Sequence, residues 1–92
     1  MRYKYYPNLI RYIRPRLKKK FPQAEPKQNR RNLPGHLLWM MAEMQTFDHS
    51  LNGSAKAGRW IGWIIAQAEH LELITEKQSR RLAKIDSHRG FI

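Results

Sequence analysis

The first fourteen residues combine aromatic rings with positive charge, a chemistry suited to binding polyanions. Lysine and arginine neutralise phosphates, and tyrosine rings stack on unpaired bases. The tyrosines alternate with cations here, as Tyr3, Tyr5, Tyr6 and Tyr12 among Arg2, Lys4, Arg11 and Arg14. The basic residues continue with Arg16, Lys18, Lys19, Lys20, Arg30 and Arg31. These cations, together with Tyr5, are therefore candidate contacts to nucleic acid or to a partner.

The positive charge is concentrated at one end of the chain. Residues 1–34 contain eleven lysines and arginines and one acid, Glu25, whereas residues 35–92 contain seven basic and six acidic residues. A strongly basic segment on a nearly neutral body seeks an extended polyanion, of which nucleic acid is the commonest. The sequence predicts a basic, tyrosine-rich arm and linker at 1–34 and a small helical domain at 35–92. An arm that does not bind nucleic acid folds back on the domain, docks on an acidic protein or lies on a membrane surface.

The last predicted helix carries a second set of cations within an arc of about 100°. Its members are Lys77, Arg80, Arg81 and Lys84. They form either a second binding surface or an ordinary solvated face. Trp63, on the preceding helix, projects to the polar side beside Arg59. Either Trp63 anchors a partner or stacks on a base, or the basic arm covers it. Both interpretations stay open at this stage.

No arrangement of residues indicates catalysis or a bound cofactor. The chain has no cysteine, and its four histidines are scattered at His36, His49, His70 and His88. They lack the clustered partners of a zinc site. The glycine-rich phosphate loop and the G-x-S-x-G elbow are also missing from the sequence. We expect a non-enzymatic binding protein with no metal and no cofactor.

Neither a secretory signal nor a membrane span is predicted. The basic start is followed by Leu9, Ile10 and Ile13 between arginines, without a continuous apolar run. No window approaches the stretch of about 18 apolar residues that indicates a transmembrane helix. The absence of cysteine fits a reducing compartment. We expect a cytoplasmic protein without a membrane partner.

The apolar spacing after residue 34 predicts three helices. They are expected over about residues 35–45, 55–72 and 76–87. Ser54 is expected to cap the middle helix. Thr75 and Gln78 fit a capping box at the start of the last one. With the helical spacing in the arm, this predicts an all-α protein of three to four helices.

The arm itself is expected to be partly helical. Apolar residues recur at helical spacing from Leu9 to Phe21. Pro15 interrupts this pattern and predicts a kink or two short helices. The following stretch, 22–34, lacks periodicity and is expected to be irregular.

Two stripes bear on packing and self-association. The methionines between Met40 and Met44 share one helix face, and such a stripe is more often core than a partner surface. Gly58, Gly62 and Ala66 form a ridge of small residues on the next helix. Because glycine weakens a helix, two on one ridge indicate close approach of another helix. A homodimer through this ridge is one option.

The stretch AEHLELITEKQSRRL has some features of a helix-turn-helix. Ala68 suits the closely packed position of its first helix. Glu72 departs from the pattern, because it stands where the turn glycine is usual. Gln78 also departs from it, because the second helix usually buries an aliphatic residue there. If the motif forms, Gln78 and Arg81 are expected to enter the major groove.

Three blocks within roughly residues 33–91, HLLWMMAEM, KAGRWIGWIIAQAEHLEL and SRRLAKID, resemble small proteins encoded in bacteriophage and prophage accessory regions. The resemblance does not extend to the basic arm. It implies a bacterial host and a chain that acts on host machinery. Such proteins often act stoichiometrically, as inhibitors or adaptors of nucleases, polymerases or defence complexes.

Two hypotheses about function follow. The first is a phage-type protein that binds nucleic acid, or a nucleic-acid-processing host complex, through the basic arm. The second is a phage-encoded inhibitor of anti-nuclease or anti-CRISPR type that docks directly on a host enzyme. In the second, Trp39, Trp63 and the methionine stripe supply the contact area. A self-associating virion component is a third option.

Overall fold

The computed structural model describes residues 3–90, with side chains described for residues 3–87. Within this part the chain forms four α-helices, one 3₁₀ turn and no strand. They are α1 (Pro7–Lys20), α2 (Leu33–Glu43), the 3₁₀ turn (Met44–Thr46), α3 (Leu51–His70) and α4 (Glu76–Gly90). The predicted all-α fold is confirmed. Of the stretch 22–34 that was expected to be irregular, residues 22–32 are irregular, whereas Leu33 and Pro34 begin α2.

The basic segment supplies one helix to the hydrophobic core. The apolar face of α1 is fully buried through Leu9, Ile10, Ile13 and Leu17. These side chains belong to the same cluster as the buried residues of α2 and α3. Of the arrangements considered for the arm, folding back on the domain is the one that residues 7–20 adopt.

Pro15 lies inside the single helix α1, so of the two expected outcomes, a kink or two short helices, the division does not occur. Its ring is on the exposed side of the helix, whereas Ile13 and Leu17 on either side are buried. The missing N–H group leaves the carbonyl of Arg11 without its helical donor. Because Arg11 is also exposed, water can satisfy that carbonyl. Core packing therefore holds α1 together across the proline.

The methionine stripe is core, as expected. Met40, Met41 and Met44 are all buried. The small-residue ridge of α3 is different, because Ala66 is exposed and an added Cβ at Gly62 would meet nothing within 4 Å. Within the described residues no helix packs on that end of the ridge, so the close approach predicted there is not found.

The start of α3 corrects the predicted cap. Ser50, not Ser54, is the N-cap residue, and its hydroxyl oxygen accepts a hydrogen bond from the Gly53 amide at 3.1 Å. Asp48 in turn accepts hydrogen bonds from the amide and the hydroxyl of Ser50. These bonds hold the pKa of Asp48 below its usual value. The loop folds so tightly that a Cβ on Gly53 would collide with the carbonyl oxygen of Asp48.

The start of α4 has the predicted capping box. The Gln78 amide donates to the Thr75 hydroxyl oxygen at 3.2 Å, and the Gln78 side-chain oxygen faces the Thr75 amide at 3.5 Å. This reciprocal arrangement gives the first amides of the helix an acceptor.

A carboxylate from α4 binds the first amides of α1. Asp86 is fully buried and accepts hydrogen bonds from the amides of Asn8 and Leu9, at 3.1 and 3.0 Å. It also accepts a bond from the Asn8 side chain at 2.9 Å. Tyr6, the residue that precedes α1, provides no cap of its own. Asp86 therefore caps α1 from across the fold, at the end where the helix dipole favours an anion.

Asp86→Ala is expected to lower the free energy of unfolding by about 2–4 kcal/mol, because it leaves buried amides without an acceptor. Asp86→Asn keeps one acceptor oxygen and is expected to cost less. Urea unfolding followed by circular dichroism measures both losses. An Asp86→Ala midpoint equal to that of the wild type would contradict the role of this cap.

Two glycines in α3 are expected to respond in opposite directions to alanine. Gly53→Ala lowers the free energy of unfolding, because its Cβ overlaps the backbone of Asp48. Gly62→Ala adds a methyl group in open space and is expected to raise that free energy by up to about 1 kcal/mol through helix propensity. The same urea titration tests the pair. Equal shifts would show that the loop relaxes around the new methyl group.

Candidate nucleic-acid interface

The cations of α1 lie on its outer surface because its apolar face is turned inward. The exposed set is Arg11, Arg14, Arg16, Lys19 and Lys20. Arg14 and Lys19 make no hydrogen bond or ion pair among the described residues, and Arg11 lies 6.0 Å from the ring centre of Tyr3. The structure leaves these side chains exposed, and their contact with phosphates stays a prediction.

Three of the predicted contacts are used by the fold instead. Tyr5 is 1% exposed, and its hydroxyl donates to the carbonyl of Asp48. Lys4 donates to the Phe47 carbonyl at 2.7 Å, and Lys18 donates to the Ala24 carbonyl at 2.8 Å. Tyr5 therefore cannot offer its ring to a base. Both lysines are half-buried, and they hold the loop after the 3₁₀ turn and the linker in place. Arg2, which was also predicted, lies outside the described residues.

α1 and α4 are antiparallel neighbours. Asn8 pairs with Asp86, and Tyr12 donates its hydroxyl to the Gln78 side chain at 2.6 Å. The guanidinium of Arg16 lies 3.5 Å from the centre of the Tyr12 ring. This stacked pair fixes one wall of the junction between the two helices.

A groove of about 600 Å³ lies between the end of α1 and the turn that joins α3 to α4. Arg16, Lys19 and Lys20 line one side, and Glu69 and Glu72 line the other. Its charges are mixed, so the groove does not select an anion by sign alone. The ammonium group of Lys20 also donates to the carbonyl of Leu71 at 2.5 Å, which ties α1 to the turn.

The cations of α4 are exposed. They are Lys77, Arg80, Arg81 and Lys84. Arg80 pairs with Glu76 at 2.5 Å, and this is the one ion pair found within the described residues. Both side chains of the pair are largely exposed, so it contributes little to stability. Lys77, Arg81 and Lys84 remain free to meet phosphates.

The turn before α4 shares one feature with a helix-turn-helix. Glu72 has a φ of 60°, the left-handed conformation that the usual turn glycine adopts. Gln78 is half-buried and held by Tyr12, so it does not project outward as a base-reading residue. The predicted role of Gln78 in the major groove is therefore corrected, whereas Arg81 stays exposed.

The predicted residues of the linker and α3 meet at a separate cleft. Arg30 and Arg59 lie at a cavity of about 190 Å³ whose other walls are His36, Met40, Trp60 and Trp63. Trp63 is half-buried, with its ring edge-on to His36 at a centroid distance of 5.6 Å. No residue of α1 lines this cleft, and Arg30 is the residue of the segment 1–34 that reaches it beside Trp63. Arg31, on the same linker, is exposed and outside the cleft.

Sequence analysis missed most of the aromatic cluster around that cleft. The ring centre of Trp39 lies 5.6 Å from those of both His36 and Trp60, and the ring centres of Phe47 and Trp60 are 4.8 Å apart. Lys56 sits above the Phe47 ring at 4.5 Å. Trp60 is half-buried. The available signal was the i, i+4 spacing of Lys56 and Trp60, which places a cation beside a ring on the next turn of one helix.

His36 forms an uncharged floor in the cleft. Burial lowers the pKa of His36, and the nearby Arg30 guanidinium lowers it further. The imidazole is therefore neutral near pH 7. Its Nδ1 atom is buried without a hydrogen-bond partner among the described residues. Such an unsatisfied group is rare in folded proteins.

No metal centre or membrane span is found in the part of the chain that the structure describes. Histidines and acids do not gather there in groups of three that would hold an ion. Across residues 3–90, no helix combines the length and hydropathy needed to cross a bilayer. Comparison of the chain with family models, characterised proteins and solved structures gives no match.

Tyr6 makes stability sensitive to alkaline pH. Burial raises the pKa of Tyr6, and the Asp86 carboxylate raises it further. The folded state therefore disfavours tyrosinate, so this contribution to stability is present below pH ~10 and is lost as pH rises through the folded pKa. Tyr6→Phe removes that term. Urea titrations at increasing pH from 8 upward are expected to show a steeper loss of the free energy of unfolding for the wild type than for Tyr6→Phe. Parallel curves for the two proteins would contradict the assignment.

Proposed function

We propose that this chain is a non-enzymatic nucleic-acid-binding protein of phage type, which contacts phosphates through the cations of α1 and α4. The observation that carries the proposal is the exposure of unpaired positive charge. Lys4 and Lys18 are half-buried, and every other lysine and arginine with a described side chain is exposed. Arg80 alone among them has a carboxylate partner.

The charge balance supports a polyanion as the target. The chain has a net charge of +11, and its acids are too few to neutralise its cations internally. Phosphate contacts release condensed counterions, so each one adds affinity that falls as salt rises. A helix with a buried apolar face and a basic outer face presents several such contacts on a rigid support. A bacterial cytoplasm, where nucleic acid is abundant, is the compartment we propose for it.

A second candidate is an inhibitor that docks directly on a host nuclease or defence complex. It is favoured by Ile85, which is 40% exposed on α4 one turn beyond Arg81. An apolar side chain among cations suits a protein surface better than a phosphate backbone. In this case the tagged protein recovers one host protein in stoichiometric amount from a nuclease-treated bacterial lysate. It then shows no affinity for purified nucleic acid.

Neutralising the outer face of α1 is expected to weaken binding and flatten its salt dependence. Arg11, Arg14 and Lys19 are the residues to replace by glutamine, because none of them makes a hydrogen bond within the described fold. If all three contact B-DNA phosphates, the slope of log affinity against log salt falls by about 2.7. Fluorescence anisotropy with labelled DNA and RNA at several salt concentrations measures it. Lys77, Arg81 and Lys84 form the equivalent variant on α4.

A charge-matched control separates these faces from net charge. Lys27 and Lys56 are exposed on the linker and α3 and are not among the predicted contacts, so their replacement by glutamine is compared with the double replacements of Arg14 with Lys19 and of Arg81 with Lys84. The control is expected to reduce the slope less than either helix variant. An equal reduction would show that binding follows total charge. The absence of binding to any DNA or RNA at about 50 mM salt would refute the proposed function.

A further inference from the structure

All three tryptophans of the chain lie in one aromatic cluster on α2 and α3. Trp39 and Trp60 are 5.6 Å apart between ring centres, and His36 joins Trp39 to Trp63 at 5.6 Å on each side. Each tryptophan is half-buried, so part of each ring reaches the surface. Monomeric proteins seldom leave several large rings together at the surface without a use for them.

The cleft in this cluster has an uncharged interior and a cationic rim. Trp60, Trp63, Met40 and His36 supply its walls, and no carboxylate lines it. Arg30 approaches from the linker and Arg59 from α3, and both guanidinium groups are on exposed residues. A ligand that fits must therefore carry a flat apolar ring with an anion attached to it.

The size of the cleft limits the ligand further. Its volume of about 190 Å³ is below the ~300–1,000 Å³ of pockets that enclose drug-sized molecules. A volume of this size suits a ligand as small as one nucleobase better than a drug-sized molecule. A carboxylate side chain of an acidic peptide would pair with the arginines but would leave the tryptophan faces and the His36 floor without a matching group.

We propose that the cleft binds one unpaired base of a single-stranded nucleic acid, with the neighbouring phosphates paired to Arg30 and Arg59. This inference rests on the proposed function and narrows it to single strands. A base inside a duplex is already stacked and paired, so it cannot enter. Tryptophan accepts any base, because every base has a flat face, and the cleft is therefore tolerant of sequence. The edge of a base also carries hydrogen-bond donors and acceptors. The Nδ1 atom of His36 has no such partner among the described residues.

Tryptophan fluorescence tests the proposal directly, because every tryptophan belongs to this cluster. The full chain is titrated at low salt with short oligothymidylate, with a duplex of equal length and with heparin, a polyanion without bases. Oligothymidylate is expected to quench the fluorescence and to bind more tightly than the duplex. Heparin is expected to bind through the exposed cations without comparable quenching.

Two variants locate the contact. Arg30→Gln with Arg59→Gln removes the rim charges from exposed positions, so folding is expected to be unaffected. It lowers the salt slope for oligothymidylate by about 1.4, whereas its effect on heparin is expected to be no larger than that of removing two exposed cations elsewhere. Trp63→Ala is expected to weaken oligothymidylate binding about 5- to 150-fold. Lys27→Gln is the control for each single replacement, Arg30→Gln or Arg59→Gln, because it removes equal charge from the linker outside the cleft and outside the predicted contacts.

The outcomes separate this inference from the proposed function. Binding of duplex and oligothymidylate without quenching keeps a nucleic-acid-binding protein and overturns the base site. Equal quenching by heparin also overturns it, because charge alone then explains the signal. Quenching by an acidic peptide that contains an aromatic residue, with none by oligothymidylate, assigns the cleft to a protein partner. A chain that binds no nucleic acid at low salt loses both proposals.

Discussion

A buried carboxylate on the last helix holds the first helix in place, and the exposed cationic surface depends on that contact. Asp86 supplies the acceptor that the first amides of α1 lack, across 78 residues of sequence. The negative charge faces the positive end of the α1 dipole, and Lys18, Lys19 and Lys20 occupy its last turn, where cations are favoured. Because α1 is fixed by its amino end and its apolar face, its remaining cations are kept on the outside.

This arrangement places strong repulsion on a small body. The chain carries a net charge of +11 over 92 residues, and within the described part only Arg80 has a carboxylate partner. Self-repulsion of this kind destabilises the compact state. The buried faces of four helices must outweigh it, which explains why α1 has to join the core. A bound polyanion relieves the repulsion, so binding and stability are thermodynamically linked.

The local features of the fold were predictable, and those that depend on distant residues were not. Helical spacing and the capping box at Thr75 depend only on residues that are close together in sequence. Ser50 and Ser54 are equally good caps by type, and the loop around Asp48 decides between them. Tyr5 belongs to an alternating basic pattern, yet its hydroxyl reaches a carbonyl 43 positions away. Pro15 stayed inside a helix because core contacts on both sides outweigh its local preference.

The residues of the candidate site also fall into two groups, those that the sequence identifies and those that only the fold brings together. Composition alone identifies the cations of α1 and α4, because exposed charge needs no tertiary contact to be recognised. The cleft could not be predicted from the sequence, because Arg30 and Arg59 are far apart in sequence and meet only beside Trp60 and Trp63 in the folded chain. The two surfaces also differ in what they can distinguish. Exposed cations on a helix can bind any polyanion, whereas a cleft with aromatic walls distinguishes a polyanion with unpaired bases from one without them. In the proposed function, specificity for single strands therefore comes from the cleft, and the cations of the helices supply most of the affinity.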